Sequence, residues 1–142
     1  MNKSQNLRGG RDVKANSQQN YQHEIKAVLN IDNFDPDGAK MIAVAEKYAQ
    51  KVKKSMSVTQ IRKIFSQVKA LDAKDENYKF KLSMILVNFL YNSKRHDYDK
   101  EFSEFFRTLI EKTREKGEKE LERFKNFLEA FVAYHKYYGG KD

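Results

Sequence analysis

Apolar residues recur every three or four positions along most of the chain, and this spacing constrains its fold more than any other feature. Such spacing places successive apolar side chains on one face of an α-helix, where a neighbouring helix covers them. The clearest series is Val58, Ile61, Ile64, Phe65, Val68 and Leu71. A single proline and six glycines among 142 residues suit long helices with short connections. The sequence therefore predicts an all-α fold.

Two local signals mark where helices begin. Asp35 followed by Pro36 is typical of a helix start, with Asp35 as the N-cap and Pro36 at the first helical position. This helix should end near Lys54. Ser57 and Gln60 have the spacing of a capping box, in which each side chain serves a free backbone amide of the first turn. A second helix is predicted to start there.

Three further helices complete a predicted compact bundle of about five helices. The third begins at Tyr78 and ends near a polar turn at residues 92–95, and the fourth runs from about Tyr98. Gly117 interrupts the chain before the last helix, which spans about residues 118–137. Its apolar face is broad, which indicates a central position in the bundle or an exchange between subunits. The second of these explanations would make the chain a homodimer joined through helices.

At 142 residues, the chain is predicted to form one domain with a hydrophobic core. Residues 1–20 are polar and contain almost nothing to bury, so we expect a disordered, flexible basic arm there. The helical bundle domain should span residues 21–142, beginning with a short amphipathic segment over residues 21–29.

The absence of cysteine excludes disulfides, thiolate metal sites and a cysteine nucleophile. The first twenty residues hold no apolar stretch suited to a signal peptide, and no segment is long and apolar enough to span a membrane. We therefore expect a soluble protein of the cytoplasm without a membrane partner. No cofactor or metal site is predicted.

Positive charge is concentrated between Lys40 and Lys69. Those thirty residues contain eight basic residues and one acid, a balance of +7, whereas the whole chain carries +8. Charge packed so densely attracts polyanions such as nucleic acid. The candidate contacts within this segment are Lys51, Lys53, Lys54, Arg62, Lys63 and Lys69. The free amides near Ser57 add a potential phosphate site, and Arg62 is the best single candidate because its guanidinium binds phosphate at two points.

His96, beside Asp97 and Asp99, is the only group of residues that suggests catalysis. Adjacent side chains at a helix start diverge, whereas acid–base catalysis needs converging groups. Acidic residues there are also expected from the helix dipole, so we favour a capping role. No catalytic motif or phosphate loop occurs.

Three blocks of sequence carry a family resemblance. They are SVTQIRKIF from Ser57 to Phe65, LVNFLYNSKR from Leu86 to Arg95, and FLEAFVAYHKYYGGKD from Phe127 to Asp142. Together with the basic, helical character of the chain, they resemble the small subunit of type III-A (Csm) CRISPR-Cas effector complexes. The resemblance covers roughly residues 35–142.

The resemblance implies a compact helical bundle that is not an enzyme. Its copies would stack beside the other Csm subunits and hold guide (CRISPR) RNA and target RNA through backbone contacts, in antiviral defence. Carried over by position, Arg62 and Lys63 lie in the matching helix, and Lys94 and Arg95 in the matching turn. The family usually has glycine in that turn, whereas this chain has Asn92 and Ser93.

Two other functions remain open from the sequence. A helix-turn-helix DNA-binding regulator would use residues 57–71 as its recognition helix, although the preceding turn lacks the usual glycine. A small ribonuclease would use His96 with Asp97.

Overall fold

The computed structural model describes residues 21–140, in which helices form the regular structure and no strand occurs. The helices are α1 over residues 21–29, α2 over Ala39–Val52, α3 over Val58–Lys69, α4 over Tyr78–Arg95, α5 over Lys100–Glu115 and α6 over Glu118–Tyr137, with a short 3-10 helix at Ile31–Asn33. The predicted all-α class is confirmed. The predicted count of about five is wrong, because six α-helices lie in the described residues. The additional helix is α1, which buries Tyr21, Ile25, Val28 and Leu29. The predicted arm, residues 1–20, lies outside the described residues.

The centre of the core is aromatic and lies between α5 and α6. The rings of Phe102 and Phe131 stack with centroids 5.2 Å apart, and Phe89 of α4 packs against Phe106 at 4.7 Å. Helix α6 contacts α2, α3 and α5. A central position in the bundle, the first of the two predicted explanations, therefore accounts for the broad apolar face of α6. None of the helices in the described residues is long and apolar enough to cross a membrane.

Helix α2 begins later than predicted, at Ala39, with Gly38 preceding it at φ 79°. The prediction of Asp35 as N-cap is wrong in position, because residues 36–38 form a turn. The carboxylate of Asp35 nevertheless caps the helix from outside, accepting hydrogen bonds from the backbone N–H of Lys40 and of Met41, both at 2.9 Å. The predicted side chain therefore does cap α2, but it lies on the other side of a loop that the prediction did not include.

The capping box before α3 is confirmed. Ser57 Oγ accepts from the Gln60 amide at 3.1 Å, and Gln60 Oε1 accepts from the Ser57 amide at 2.8 Å. Within α3 the predicted stripe is only partly internal. Ile61 and Val68 are buried, whereas Phe65 is half-buried against the edge of the core. The prediction that Phe65 lies inside the core is therefore wrong.

The polar residues 92–95 form the last turn of α4 rather than the predicted loop. The chain turns instead at His96 and Asp97, where Asp97 adopts a left-handed backbone with φ 53°. Asn and Ser are tolerated on the exposed face of a helix end, which explains the misplaced boundary. Lys94 and Arg95 consequently project from a helix.

Candidate nucleic-acid interface

Long-range contacts bring several chain segments together at one end of the bundle. The amide of Asp99, which precedes α5, donates to Ser55 Oγ at 3.2 Å, and His135 of α6 bonds the Met56 carbonyl at 2.9 Å. The turn between α2 and α3 therefore lies beside the start of α5 and the last turns of α6. Since residues 96–98 connect α4 directly to this point, the last turn of α4 lies at the same end.

Six of the predicted contact residues belong to this end. Lys53 and Lys54 are in the turn after α2, and Arg62 and Lys63 lie in the second turn of α3, about 7 Å along its axis. Helix α4 adds Lys94 and Arg95 in its last turn. We call Lys53, Lys54, Arg62, Lys63, Lys94 and Arg95 the basic end. None of the six has an ion-pair partner among residues 21–140, and four of the side chains, those of Arg62, Lys63, Lys94 and Arg95, lie on exposed helix positions.

Lys51 and Lys69, the other two predicted contacts, are placed differently. Lys51 Nζ lies 2.7 Å from Glu101 Oε2 of α5, and this bond raises the pKa of Lys51. Its neighbour Lys47 pairs with Glu24 of α1, also at 2.7 Å. Lys69 is at the opposite end of α3, where its ammonium lies 5.7 Å from the centre of the Phe65 ring. The dense charge of residues 40–69 is therefore partly balanced by acids that are distant in sequence.

Three hollows open among these residues. A cleft of about 400 Å³ between α3 and α4 is lined by Lys63, Tyr91, His96 and several side-chain amides, those of Gln60, Gln67, Asn88 and Asn92. Lys94 borders a second hollow of about 360 Å³ together with Lys100 and with two acids, Asp97 and Glu104. Lys53 and Lys54 border a third with Tyr138. Cations with nearby hydrogen-bonding groups are suited to phosphate oxygens and sugar hydroxyls.

The start of α3 offers fewer free amides than the sequence predicted. The capping box already satisfies the amides of Ser57 and Gln60. Only the backbone N–H groups of Val58 and Thr59 remain for an anion at this helix start. The basic side chains, rather than the backbone amides, are therefore the main groups at this end that suit an anion.

His135 fixes the turn that carries Lys53 and Lys54. It is 1% exposed, and because a carbonyl oxygen only accepts, Nε2 carries the proton in its bond to Met56. Burial lowers the pKa of His135, so the ring is neutral at pH 7. Gly140 packs directly against this ring, and a β-carbon there would collide with it.

His96 does not form a converging acid–base group with its neighbours. Its ring is exposed and stacks on Tyr98, with centroids 6.1 Å apart. The carboxylate of Asp99 accepts from the Phe102 amide at 2.9 Å, so the predicted capping role is confirmed. Among residues 21–140, no group of three or more His, Asp or Glu side chains is arranged to hold a metal ion.

Sequence reasoning did not predict that Lys100 would lie near Lys94, or that the side-chain amides of the α3–α4 cleft would come together. Lys100 begins α5, where the helix dipole disfavours a cation, so no local rule predicts it. The amides are spread over four separate helical turns and meet only because α3 and α4 pack side by side.

Comparison with known proteins gives the family. The Csm2 Type III-A family model matches residues 35–141, which is most of the chain. The chain belongs to this Csm2 family. A similar protein, "CRISPR system Cms protein Csm2" of Streptococcus thermophilus, is 31% identical over 121 residues, covering 82% of this chain and 99% of that protein. The resemblance to the small subunit of Csm complexes is therefore confirmed. No solved structure matches the chain significantly.

Proposed function

We propose that this chain is a non-catalytic small subunit of a type III-A CRISPR-Cas interference complex that holds target RNA and the guide–target duplex by sequence-independent backbone contacts. The main support is the basic end, whose six cations come from three chain segments and have no ion-pair partner in residues 21–140. In an RNA-guided complex, base pairing supplies the sequence specificity. The protein then needs only to hold phosphates and A-form shape.

Its partners are proposed to be guide RNA, target RNA, the other Csm subunits and further copies of itself. Family membership supports the other Csm subunits, and the cations of the basic end, unpaired within residues 21–140, support the two RNAs. A non-catalytic role is supported by the geometry around His96, since the Asp99 carboxylate is engaged in capping α5. We expect no cleavage when the purified protein is incubated with labelled RNA and a divalent metal.

The test replaces Arg62 and Lys63 together by alanine and measures RNA binding by fluorescence anisotropy at several salt concentrations. For about four phosphate contacts to a single strand, log affinity should fall against log salt with a slope of roughly −2.8, a loss of about 50-fold from 50 to 200 mM. The double variant should bind all RNA sequences more weakly and flatten the slope by about one to two units.

A control with the same change in charge removes two cations from the far end of the bundle, of which Lys112 pairs with Glu115 at 3.4 Å. Lys112 and Arg114 lie in the last turn of α5, while the first turn of α5 is at the basic end. Their double alanine variant has the same net charge as the test variant and should keep the RNA slope. If both variants lose affinity equally, only net charge matters and the basic end has no special role. Tighter binding to B-form DNA than to RNA would favour a DNA-binding regulator instead.

A further inference from the structure

Helix α4 has a second apolar face that points away from the core. Its inner face contacts α3 and α5 and buries Tyr78, Leu82, Ile85 and Phe89. On the outer face, Phe80 is 65% exposed, Met84 44%, Val87 55% and Tyr91 63%. We call these four residues the outer stripe. Isolated exposed apolar residues are ordinary, but four on one helix face mark an interaction surface.

The spacing within the outer stripe is four, three and four residues. This is the repeat of the a and d positions along which one helix packs against another. From residue 80 to residue 91 the stripe extends about 16 Å, at 1.5 Å per residue. It thus offers three turns of helix to a single partner helix.

The charges carried by helix α4 itself are all positive. Helix α4 contains Lys79, Lys81, Lys94 and Arg95 and not one acidic residue. Lys81 pairs with Asp75 at 2.7 Å, in the loop before the helix, while the other three have no ion pair with residues 21–140. A partner that covers the stripe therefore lies next to Lys79 at one end and next to Lys94 and Arg95 at the other.

We propose that the outer stripe is the docking site for an amphipathic helix of another protein, with an apolar a/d face and acidic flanking residues. Apolar contacts would supply the affinity, and the acidic flanks would set register and orientation against the cations of α4. The proposal shares three residues with the proposed RNA surface, since Lys94 and Arg95 belong to the basic end and Tyr91 also lines the α3–α4 cleft. Its own evidence is the apolar stripe, and Val87→Asp tests the stripe without changing a cation of the basic end.

A second copy of this chain fits the outer stripe poorly. Two copies that paired through the same stripe would bring α4 cations from both chains together with no acid on either helix. Elsewhere in residues 21–140 the large exposed apolar residues are Ile42 and Tyr137, on different helices. Neither helix presents an apolar face that matches the stripe.

RNA also fits the outer stripe poorly. Bases stack on flat rings, whereas the two central residues of the stripe, Met84 and Val87, are aliphatic. Of the four, only Phe80 and Tyr91 are aromatic, and they lie three turns apart.

The test uses two synthetic peptides of about 21 residues, both with leucine at a and d positions. One carries glutamate at e and g positions, and the other carries lysine. Binding to the full chain is measured by fluorescence anisotropy in 50 mM salt. The glutamate peptide should bind at least about tenfold more tightly than the lysine peptide, and Val87→Asp should weaken it by at least about tenfold. Ile42→Asp, which also places an acid at an exposed apolar position, should leave the affinity unchanged.

Any of four results would overturn the proposal. Equal affinity for the two peptides, or no binding of either, would show that the stripe does not select an acidic helix. A dimer in sedimentation velocity that Val87→Asp dissociates would assign the stripe to a second copy. An equal loss of RNA affinity in Val87→Asp and in the Arg62/Lys63 variant would assign it to RNA. Circular dichroism of Val87→Asp should match the unmodified chain, because the side chain is exposed.

Discussion

Replacing Asp35 by asparagine should disrupt the network that joins α1, α2 and α6. One carboxylate oxygen of Asp35 accepts from the Lys40 amide, and the other accepts from the Met41 amide and from Arg123 Nη2 at 2.8 Å. Arg123 also donates to the carbonyl oxygens of Val28 and Ala27 at the end of α1. Asp35 is 2% exposed, so water does not replace a lost acceptor there.

Asparagine keeps one acceptor oxygen and turns its amide group towards a backbone N–H that needs an acceptor. Losing one hydrogen bond to a charged group costs about 1.5 to 3 kcal/mol, and the bonds that remain become weaker neutral ones. Removing a partner from a buried ion pair costs about 3 to 5 kcal/mol. Because Arg123 is 17% exposed and keeps two carbonyl acceptors, we expect the lower end, about 3 kcal/mol. For a chain of this size, that corresponds to a fall in Tm of about 10 °C.

Urea unfolding of both proteins at pH 7 measures the difference, and Asp37→Asn is the matched control. Asp37 is exposed and, within residues 21–140, accepts only from the Ala39 amide, a role that asparagine retains. Asp37→Asn should therefore lower the free energy of unfolding by less than about 0.5 kcal/mol. If Asp35→Asn lowers the free energy of unfolding by less than about 1 kcal/mol, or if both variants lower it equally, the prediction is wrong.

The pH dependence gives a second check on Asp35. Burial alone would raise the pKa of this carboxyl, but the hydrogen bonds from Lys40, Met41 and Arg123 outweigh it and hold the pKa below its ordinary value of 3.8. A lowered pKa means that the carboxylate stabilises the fold fully above 3.8 and that this stability is lost as the pH falls through the folded-state value. The difference in the free energy of unfolding between the unmodified chain and Asp35→Asn should therefore become smaller below pH 3.8.

Two further predictions concern His135 and Phe65. Because burial lowers the pKa of His135 below 6.5, its contribution to stability is present above pH 6.5 and is lost as the pH falls. For the unmodified chain, the urea midpoint should be lower at pH 5.5 than at pH 7.5. This difference should shrink in His135→Gln and persist in His96→Gln, because the His96 ring is exposed. Equal differences in the two variants would contradict the prediction. Phe65→Ala should cost about 2 kcal/mol, since Phe65 is half-buried, against about 3 to 5 kcal/mol for the fully buried Phe106→Ala. Equal costs in the same urea assay would mean that Phe65 is as well packed as Phe106.

Sequence reasoning succeeded where the interacting residues are close together in the chain. Ser57 and Gln60 bond within one helical turn, so their spacing alone predicts the capping box. It failed where a loop or a distant partner decides the outcome. The turn at residues 36–38 delays α2, and Lys51 meets Glu101 fifty positions away, with no local signal for either.

The basic end itself is a product of packing rather than of composition. The densest positive charge in the sequence lies in residues 40–69. Two of its cations, Lys47 and Lys51, pair with acids of α1 and α5 and are therefore less available to bind an anion. Packing replaces them with Lys94 and Arg95, which come from a stretch that the charge count did not single out. These two also complement the dipole at the end of α4, which stabilises a cationic group near its C-terminus. Helix α4 therefore combines two proposed surfaces, with its last turn facing RNA and its outer stripe facing a partner helix. Substitution of Arg62 and Lys63 on α3 and substitution of Val87 on α4 should consequently separate the two functions.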